Sequence, residues 1–406
     1  MSKMILKSLI TQIRGVSYQK GDAVSVCEND YIPLLRANNI QDGDLVESDL
    51  LFIPNKLVNE KQIIKNGDII IAASSGSINI VGKAGFSKRD TNFTFGAFCK
   101  LIRPNTKKVH PEYLNYFFQS QEYRAKISSL AQGANINNLK NENIDCLEVL
   151  IPALPEQKRI ATILDKADAL RQKNKQLLAA YDELLQSIFL ELFGDPVRNN
   201  QNWPVKLLSD VSEVVSGVTK GRKLKKEDVI SLPYIRVANV QDGHLDLNEI
   251  KTIDVLPKDL EKYRLLPGDI LLTEGGDPDK LGRGAVWKGE IKDCIHQNHI
   301  FRVRIKNENL IEDYLSALIG SVYGKKYFLK ASKQTTGIAS INSTQLKKFP
   351  VIMAPIKLQR KFKSAIENIE LQKALVKQSL QESEDLFNGL VQKAFKGELT
   401  DKKEEI

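Results

Sequence analysis

Long apolar runs are missing from this sequence: no stretch approaches the ~20 residues that a membrane span needs. The opening residues Met1 to Thr11 carry no apolar core followed by a cleavage pattern. A cytoplasmic protein without membrane contact is therefore expected. Cysteine is scarce, four residues at Cys27, Cys99, Cys146 and Cys294. They stand too far apart for a disulfide framework or a thiolate zinc site. Histidine numbers four, and a metal set built from Cys294, His296 and His299 does not close at four ligands.

What is present is ordinary in bulk. A chain of 406 residues, 42% hydrophobic and 27% charged, is a globular protein of two or three domains. A net charge of +9 favours a polyanionic partner without requiring one.

The organising stretch runs from Pro155 to Phe193. Ile160, Ile163, Ala167, Leu170, Asn174, Leu177, Tyr181, Leu184 and Ile188 alternate spacings of three and four and predict one face of a long helix. Leu164, Leu178, Leu185 and Leu192 widen the stripe, so the helix should pack on another helix and on something else besides. Gly194-Asp195-Pro196 ends it. Fully helical, the stretch spans ~58 Å, too long for a core helix and suitable as a spacer.

The same helix is written twice. A shift of 202 puts Gln157 on Gln359, Ile160 on Phe362, Leu164 on Ile366, Ala167 on Ile369, Leu178 on Leu380 and Leu185 on Phe387 without an insertion. The segments ahead of the helices repeat as well. Leu34 to Gly43 matches Tyr234 to Gly243, with Arg36, Asn39, Gln41, Asp42 and Gly43 identical to their counterparts. Gly15-Val16-Ser17 pairs with Gly217-Val218-Thr219, Gly67-Asp68-Ile69 with Gly268-Asp269-Ile270, and Ile136-Asn137 with Ile341-Asn342. A period near 200 residues excludes a solenoid. The chain is read as two mixed α/β domains, each followed by a long helix. The first opens near the N-terminus without the Trp203-Pro204 that leads into the second. Antiparallel pairing of the helices would give a single-chain imitation of a symmetric dimer, able to place two modules on successive major grooves.

These residues resemble the specificity subunit of Type I restriction-modification enzymes. Pro152-Ala153-Leu154-Pro155-Glu156-Gln157-Lys158-Arg159-Ile160-Ala161 is similar to the start of that family's first conserved helical region, and Phe189-Leu190-Glu191-Leu192-Phe193-Gly194-Asp195-Pro196 to its end. Lys393-Ala394-Phe395-Lys396-Gly397-Glu398-Leu399 resembles the end of the second. The resemblance implies an α+β fold with two target recognition domains, 1–152 and 196–353, separated by helical spacers at 153–195 and 354–400 that form an antiparallel coiled coil with pseudo-two-fold symmetry, and a charged tail at 401–406. It implies a non-catalytic subunit that binds double-stranded DNA, each domain reading half of a bipartite asymmetric site. It also implies two methylation subunits docked on the helices and restriction subunits acting as translocase and nuclease. This chain would bind no cofactor; S-adenosylmethionine, ATP and Mg would sit on the partners. The second helix departs from the pattern at Ala354-Pro355-Ile356-Lys357-Leu358-Gln359-Arg360-Lys361-Phe362, which lacks the Glu of position 156 and has Phe for Ile. The two halves are therefore not expected to hold a methylation subunit identically.

Residues expected at helix packing or partner surfaces are Ile160, Leu164, Leu170, Leu177, Tyr181, Leu184, Phe362, Ile366, Ile369, Leu380 and Phe387. Candidates for DNA are basic or amide side chains near glycines. In the second domain they are Thr219, Lys220, Arg222 and Lys223 in a basic loop, Lys280 and Arg283 in a Gly-rich segment, and Gln297 and Asn298, whose amides suit adenine. Lys83, Lys88, Arg89 and Asn92 fill the corresponding place in the first. Arg36 and Arg236 fit structural ion pairs at least as well as base contacts. Glu274, Asp277 and Asp279 fit a solvated loop better than a nuclease site.

Two other classes fit less well. An autonomous DNA methyltransferase needs a Gly-rich cofactor loop and an Asn-Pro-Pro-aromatic or Asp-Pro-Pro-aromatic turn; Asp277-Pro278-Asp279 lacks the second Pro and the aromatic. A Walker loop is missing too, which excludes an ATP-driven motor. A coiled-coil scaffold without DNA is the remaining alternative, distinguished by its indifference to duplex sequence.

Overall fold

The computed structural model describes residues 2–130, 137–222, 229–276, 281–335 and 338–399. The chain divides into two units, and neither is a continuous segment: Met1–Gln176 with Val376–Ile406, and Leu177–Leu375. Each holds one mixed α/β head, the N-terminal half of the helix that follows it and the C-terminal half of the other.

The two long helices run Leu154–Phe193 and Ile356–Lys396. In the first unit Arg171 lies 4.4 Å over the Phe387 ring, and the Asn174 amide donates to the Ser379 and Ser383 hydroxyls at 3.2 and 3.3 Å. In the second unit Lys373 reaches Asp182 at 2.8 Å, and Phe189 meets Phe362 edge to face with centroids 5.5 Å apart. Within each unit an advancing position on one helix thus meets a receding position on the other, which is antiparallel pairing.

The phase of the seam corrects the sequence reading. Ile160, Leu164, Ala167 and Asn174 are buried, Arg171, Leu178, Tyr181, Leu185 and Leu192 are partly so, and Phe362, Ile369, Ser383, Phe387, Val391 and Ala394 are buried on the second helix. Leu170, Leu177 and Leu184, taken from the sequence as part of the primary face, stand exposed at 45%, 40% and 44%. Two apolar stripes lie side by side on this helix, and the seam took the one carrying Arg171 and Asn174. A guanidinium stacked on a ring and an amide between two hydroxyls are each satisfied there, so polarity did not exclude them. A lone buried amide in such a seam also fixes register, because a slipped pairing leaves it without a partner.

Both heads are built alike. In the first, Ile10–Arg14, Cys99–Pro104, Ile69–Ala72 and Ala84–Phe86 lie in that order in a sheet that Asp44–Leu45 and Ile40–Gln41 extend. In the second, Ser212–Ser216, Ile300–Ile305, Ile270–Thr273 and Gly284–Val286 keep the order. A three-stranded sheet accompanies each, Thr94–Phe95, Tyr31–Leu35 and Leu51–Pro54 against Ile295–His296, Ile230–Ile235 and Lys251–Val255. Central strands such as Ile69–Ala72 and Ile270–Thr273 are buried along their whole length, which is why they read as unbroken apolar runs.

The duplication extends to single hydrogen bonds. Arg103 grips the buried Asp68 carboxylate at 2.9 and 2.7 Å, and Arg304 grips Asp269 at 2.7 Å on both oxygens. Arg36 pairs with Asp49 and Arg236 with Glu249, the structural role weighed from sequence. The Tyr113 hydroxyl donates to the Leu150 carbonyl, the Tyr314 hydroxyl to that of Ile352. Fully buried Gln157 accepts from the His110 N–H at 2.7 Å and donates to the Pro152 carbonyl at 2.8 Å; Gln359 does the same with Ile311 and Ala354. This glutamine ties each head to the start of its helix. One sequence pairing shifts: Ile136 lies outside the described residues, and the counterpart of Ile341 is Leu139. Leu139 N–H donates to the Ala73 carbonyl as Ile341 N–H donates to that of Glu274.

Candidate nucleic-acid interface

At one end of each buried central strand three loops converge. In the first head the N–H of Ala72 donates to the Lys83 carbonyl (2.9 Å), that of Ala73 to the Phe98 carbonyl (2.8 Å), and that of Leu139 to the Ala73 carbonyl (2.8 Å). In the second, Thr273 donates to Arg283 (3.0 Å), Glu274 to His299 (3.0 Å), and Ile341 to Glu274 (2.9 Å). Lys83 and Arg283 therefore hold equivalent places, as do Phe98 and His299.

A fourth segment is brought in by a close approach that only glycine permits. A Cβ on Gly15 would lie 2.1 Å from the Gly96 carbonyl oxygen, and one on Gly217 would lie 2.0 Å from that of His296. Both distances are far inside contact, so the glycine lets residues 16–18 and 218–220 lie beside the 96–98 and 297–299 turns. The Asn298 N–H seals this with a 2.9 Å bond to the Val218 carbonyl.

The sequence candidates divide accordingly. Thr219, Lys220, Arg283, Gln297 and Asn298 come together in the second head, and Lys83 occupies the matching surface of the first. Lys88, Arg89 and Asn92 sit beyond the far end of Ala84–Phe86, a strand about 10 Å long that separates them from Lys83. There Lys88 pairs with Asp44 at 2.7 Å and Arg89 with Glu47, while Asn92 is exposed. Arg222 is engaged by Asp259 at 2.6 Å. Burial opposes charge on that carboxyl, yet hydrogen bonds from Arg222 and the Leu256 N–H hold it below the usual carboxylate range. Lys223, Lys280, Asp277 and Asp279 lie outside the described residues.

Four participants were not among the DNA candidates read from the sequence: Gln241, Glu274, His299 and Phe98. The Gln241 amide oxygen accepts from Arg283 Nη1 at 2.7 Å while its nitrogen donates to the Ala238 carbonyl at 2.8 Å, so it aims the guanidinium. Repetition of the glutamine at 41 and 241 was the available signal. Glu274 Oε2 lies 2.6 Å from His299 Nδ1, and the ring's Nε2 is 3.4 Å from Asn298 Nδ2. Phe98 is 69% exposed and nothing in its local sequence marks it.

His296, beneath this surface, is fully buried at the position Phe95 fills in the first head. Burial, reinforced by Arg302 and Arg304, pushes its imidazole down to about 3. Neither ring nitrogen has a partner among the described residues. Below its ordinary value of 6.5 the unfolded chain takes up a proton that the folded site refuses until about pH 3. Stability is therefore lost as pH falls through that window, by about 1.4 kcal/mol per unit. The advantage of His296→Phe in unfolding free energy should grow by about 2 kcal/mol between pH 7 and pH 5, read from urea titrations at each pH. An advantage independent of pH would contradict a buried neutral ring.

The chain belongs to the Type I restriction modification DNA specificity family, whose domain model matches it twice, over residues 6–180 and 200–384. It is 31% identical to the Type I restriction enzyme EcoKI specificity subunit of Escherichia coli K12, over 97% of this chain and 88% of that protein. Identity to the StySPI specificity subunit of Salmonella potsdam is also 31%, with the same coverage. Among solved structures, the S subunit of the M. genitalium Type I restriction-modification system matches 97% of this chain and 96% of its own with a TM-score of 0.50 at 16% identity. A chain from a study of complex assembly and conformational transition in the type I R-M system matches 98% of both chains with a TM-score of 0.54 at 15% identity. These two likenesses concern the fold. No helix among the described residues is long and apolar enough to cross a membrane.

Proposed function

We propose that this chain is the DNA-reading, non-catalytic subunit of a Type I restriction-modification complex, each head reading one half of a split asymmetric site and the paired helices setting the gap. The observation that carries this is one scaffold used twice with different side chains at equivalent positions, exposed Lys83 against half-buried Arg283 and exposed Phe98 against exposed His299. A duplicated framework holds the loops, and the unlike tips give the two halves unlike preferences. Arg283, aimed by Gln241, has the geometry for guanine O6 and N7. Lys83, Lys220 and Thr219 suit phosphates.

The exposed stripe of Leu170, Leu177 and Leu184, with Leu371, Leu375 and Leu386 on the other helix, suits two methylation subunits. Those partners would carry S-adenosylmethionine. Restriction subunits would bring ATP and Mg, and the assembly would work in the cytoplasm.

Arg283→Ala tests the assignment of roles. In the assembled methylation complex it should cost about 1 to 3 kcal/mol of discrimination at one base position of one half-site. Binding measured on duplexes substituted position by position checks this. A loss equal for all sequences would move Arg283 to the phosphates, and binding without any sequence preference would favour a scaffold and defeat the proposal.

A further inference from the structure

Phe98 and His299 are the same position in two copies of one scaffold, and their chemistry is opposed. Both carbonyls are fixed by the N–H that follows the buried central strand, Ala73 for one and Glu274 for the other, so both side chains project from the same turn. Phe98 is the one exposed phenylalanine among the described residues, and no tyrosine or tryptophan there is exposed. Its carbonyl is anchored by Ala73, the residue after the Ala72 that anchors Lys83, on the surface assigned to DNA. With 69% of its surface exposed, the ring adds little burial to the fold. The His299 side chain is 58% exposed and paired with Glu274, whose side chain is 33% exposed. A surface pair of this kind adds little to stability. What it does is choose a tautomer: with Glu274 accepting from Nδ1–H, the lone pair stays on Nε2. Asn298 Nδ2 stands 3.4 Å from that lone pair, a long contact that leaves it able to take a better donor.

We infer that Phe98 and His299 are matched base-reading residues, one for each half-site. Phe98 takes the C5-methyl edge of a thymine, and His299 Nε2 accepts from an exocyclic amine, adenine N6 or cytosine N4. All of these groups face the major groove. This rests on the reading of the heads as DNA-recognition domains, and it adds which residue discriminates and by what chemistry.

The exchange variants Phe98→His and His299→Phe, made singly in the full chain and assembled with its methylation partners, test the inference. The probe is a set of duplexes carrying the methylated site with each base replaced in turn, including uracil for thymine, which removes only the methyl group. Wild type should lose about tenfold or more in binding when the thymine facing Phe98 becomes uracil, and Phe98→His should be indifferent to that change. His299→Phe should lose its preference for an amine-bearing base at one position of the second half-site, adenine and cytosine probes telling which, and leave the first half-site as it was. If wild type selects a split site but both variants keep its preference at every position, this inference falls and the proposed function stands. If wild type shows no sequence preference, the proposed function itself falls.

Discussion

Adding seven residues to each long helix, at matched points of the seam, should lengthen the gap in the recognised site by about three base pairs without altering either half. The magnitude follows from the geometry of the parts. Seven helical residues rise about 10 Å, and stacked base pairs rise about 3.4 Å. A heptad keeps each side chain on its face, so the alternation of seam positions 160, 164, 167, 171 and 174 continues in phase across the insertion. The heads themselves are untouched, since buried Gln157 and Gln359 fasten each to the start of its helix, far from the insertion. Insertion of three or four residues instead would rotate one half of each helix against the other and should abolish methylation. Mapping methylated sites in cells expressing the variants checks this; an unchanged gap after the heptad would mean that the helices do not act as a ruler.

Removing the Asp269 carboxylate should be the most damaging single change in the second head. Asp269 is about 1% exposed and accepts three bonds, two from Arg304 and one from the Leu266 N–H, all at 2.7 Å. Its hydrogen bond to Arg304 holds that guanidinium above its ordinary value, whereas burial, with Arg304 beside it, pushes Arg302 down. Asp269→Ala therefore leaves two neighbouring guanidinium groups without their buried counter-charge, with only the more exposed Glu213, 3.7 Å from Arg302, remaining beside them. A cost of about 3 to 5 kcal/mol is expected, because the loss of one partner strands the other. Hydrogen exchange in Ile270–Thr273 should rise, while Ile69–Ala72, supported by Asp68 and Arg103 in the first head, should keep its protection. Adding Arg304→Leu to the variant should recover part of the loss. A cost below about 1 kcal/mol would mean that the pair is solvated and of surface type.

Much of this was legible in the sequence because it is written twice. Gly67-Asp68-Ile69 and Gly268-Asp269-Ile270 mark the same turn into the same buried strand, and the offset of 202 carries the helices without a break. The phase of the seam was not legible. Stripes through Leu170 and Leu178 are equally apolar, and what separates them is that Arg171 has Phe387, and Asn174 has Ser379 and Ser383, more than 200 residues away. Long-range closure also explains the divided candidate site. Lys83 and Lys88 are neighbours in sequence, yet the short strand between them puts them at its two ends, and Lys88 is held by Asp44 there. Phe98, for its part, joins Lys83 only through bonds to Ala72 and Ala73.

The measurement that bears most directly on the whole account is single-molecule mapping of methylated adenines in cells that express this chain with its native companion subunits, and in cells lacking it. Two short specified blocks separated by a fixed unspecified gap should be methylated in the first and unmethylated in the second, with exchange of residues 203–353 for another second domain changing one block alone. A single uninterrupted motif, or an exchange that rewrites both blocks, would contradict two independent reading heads on a common pair of helices.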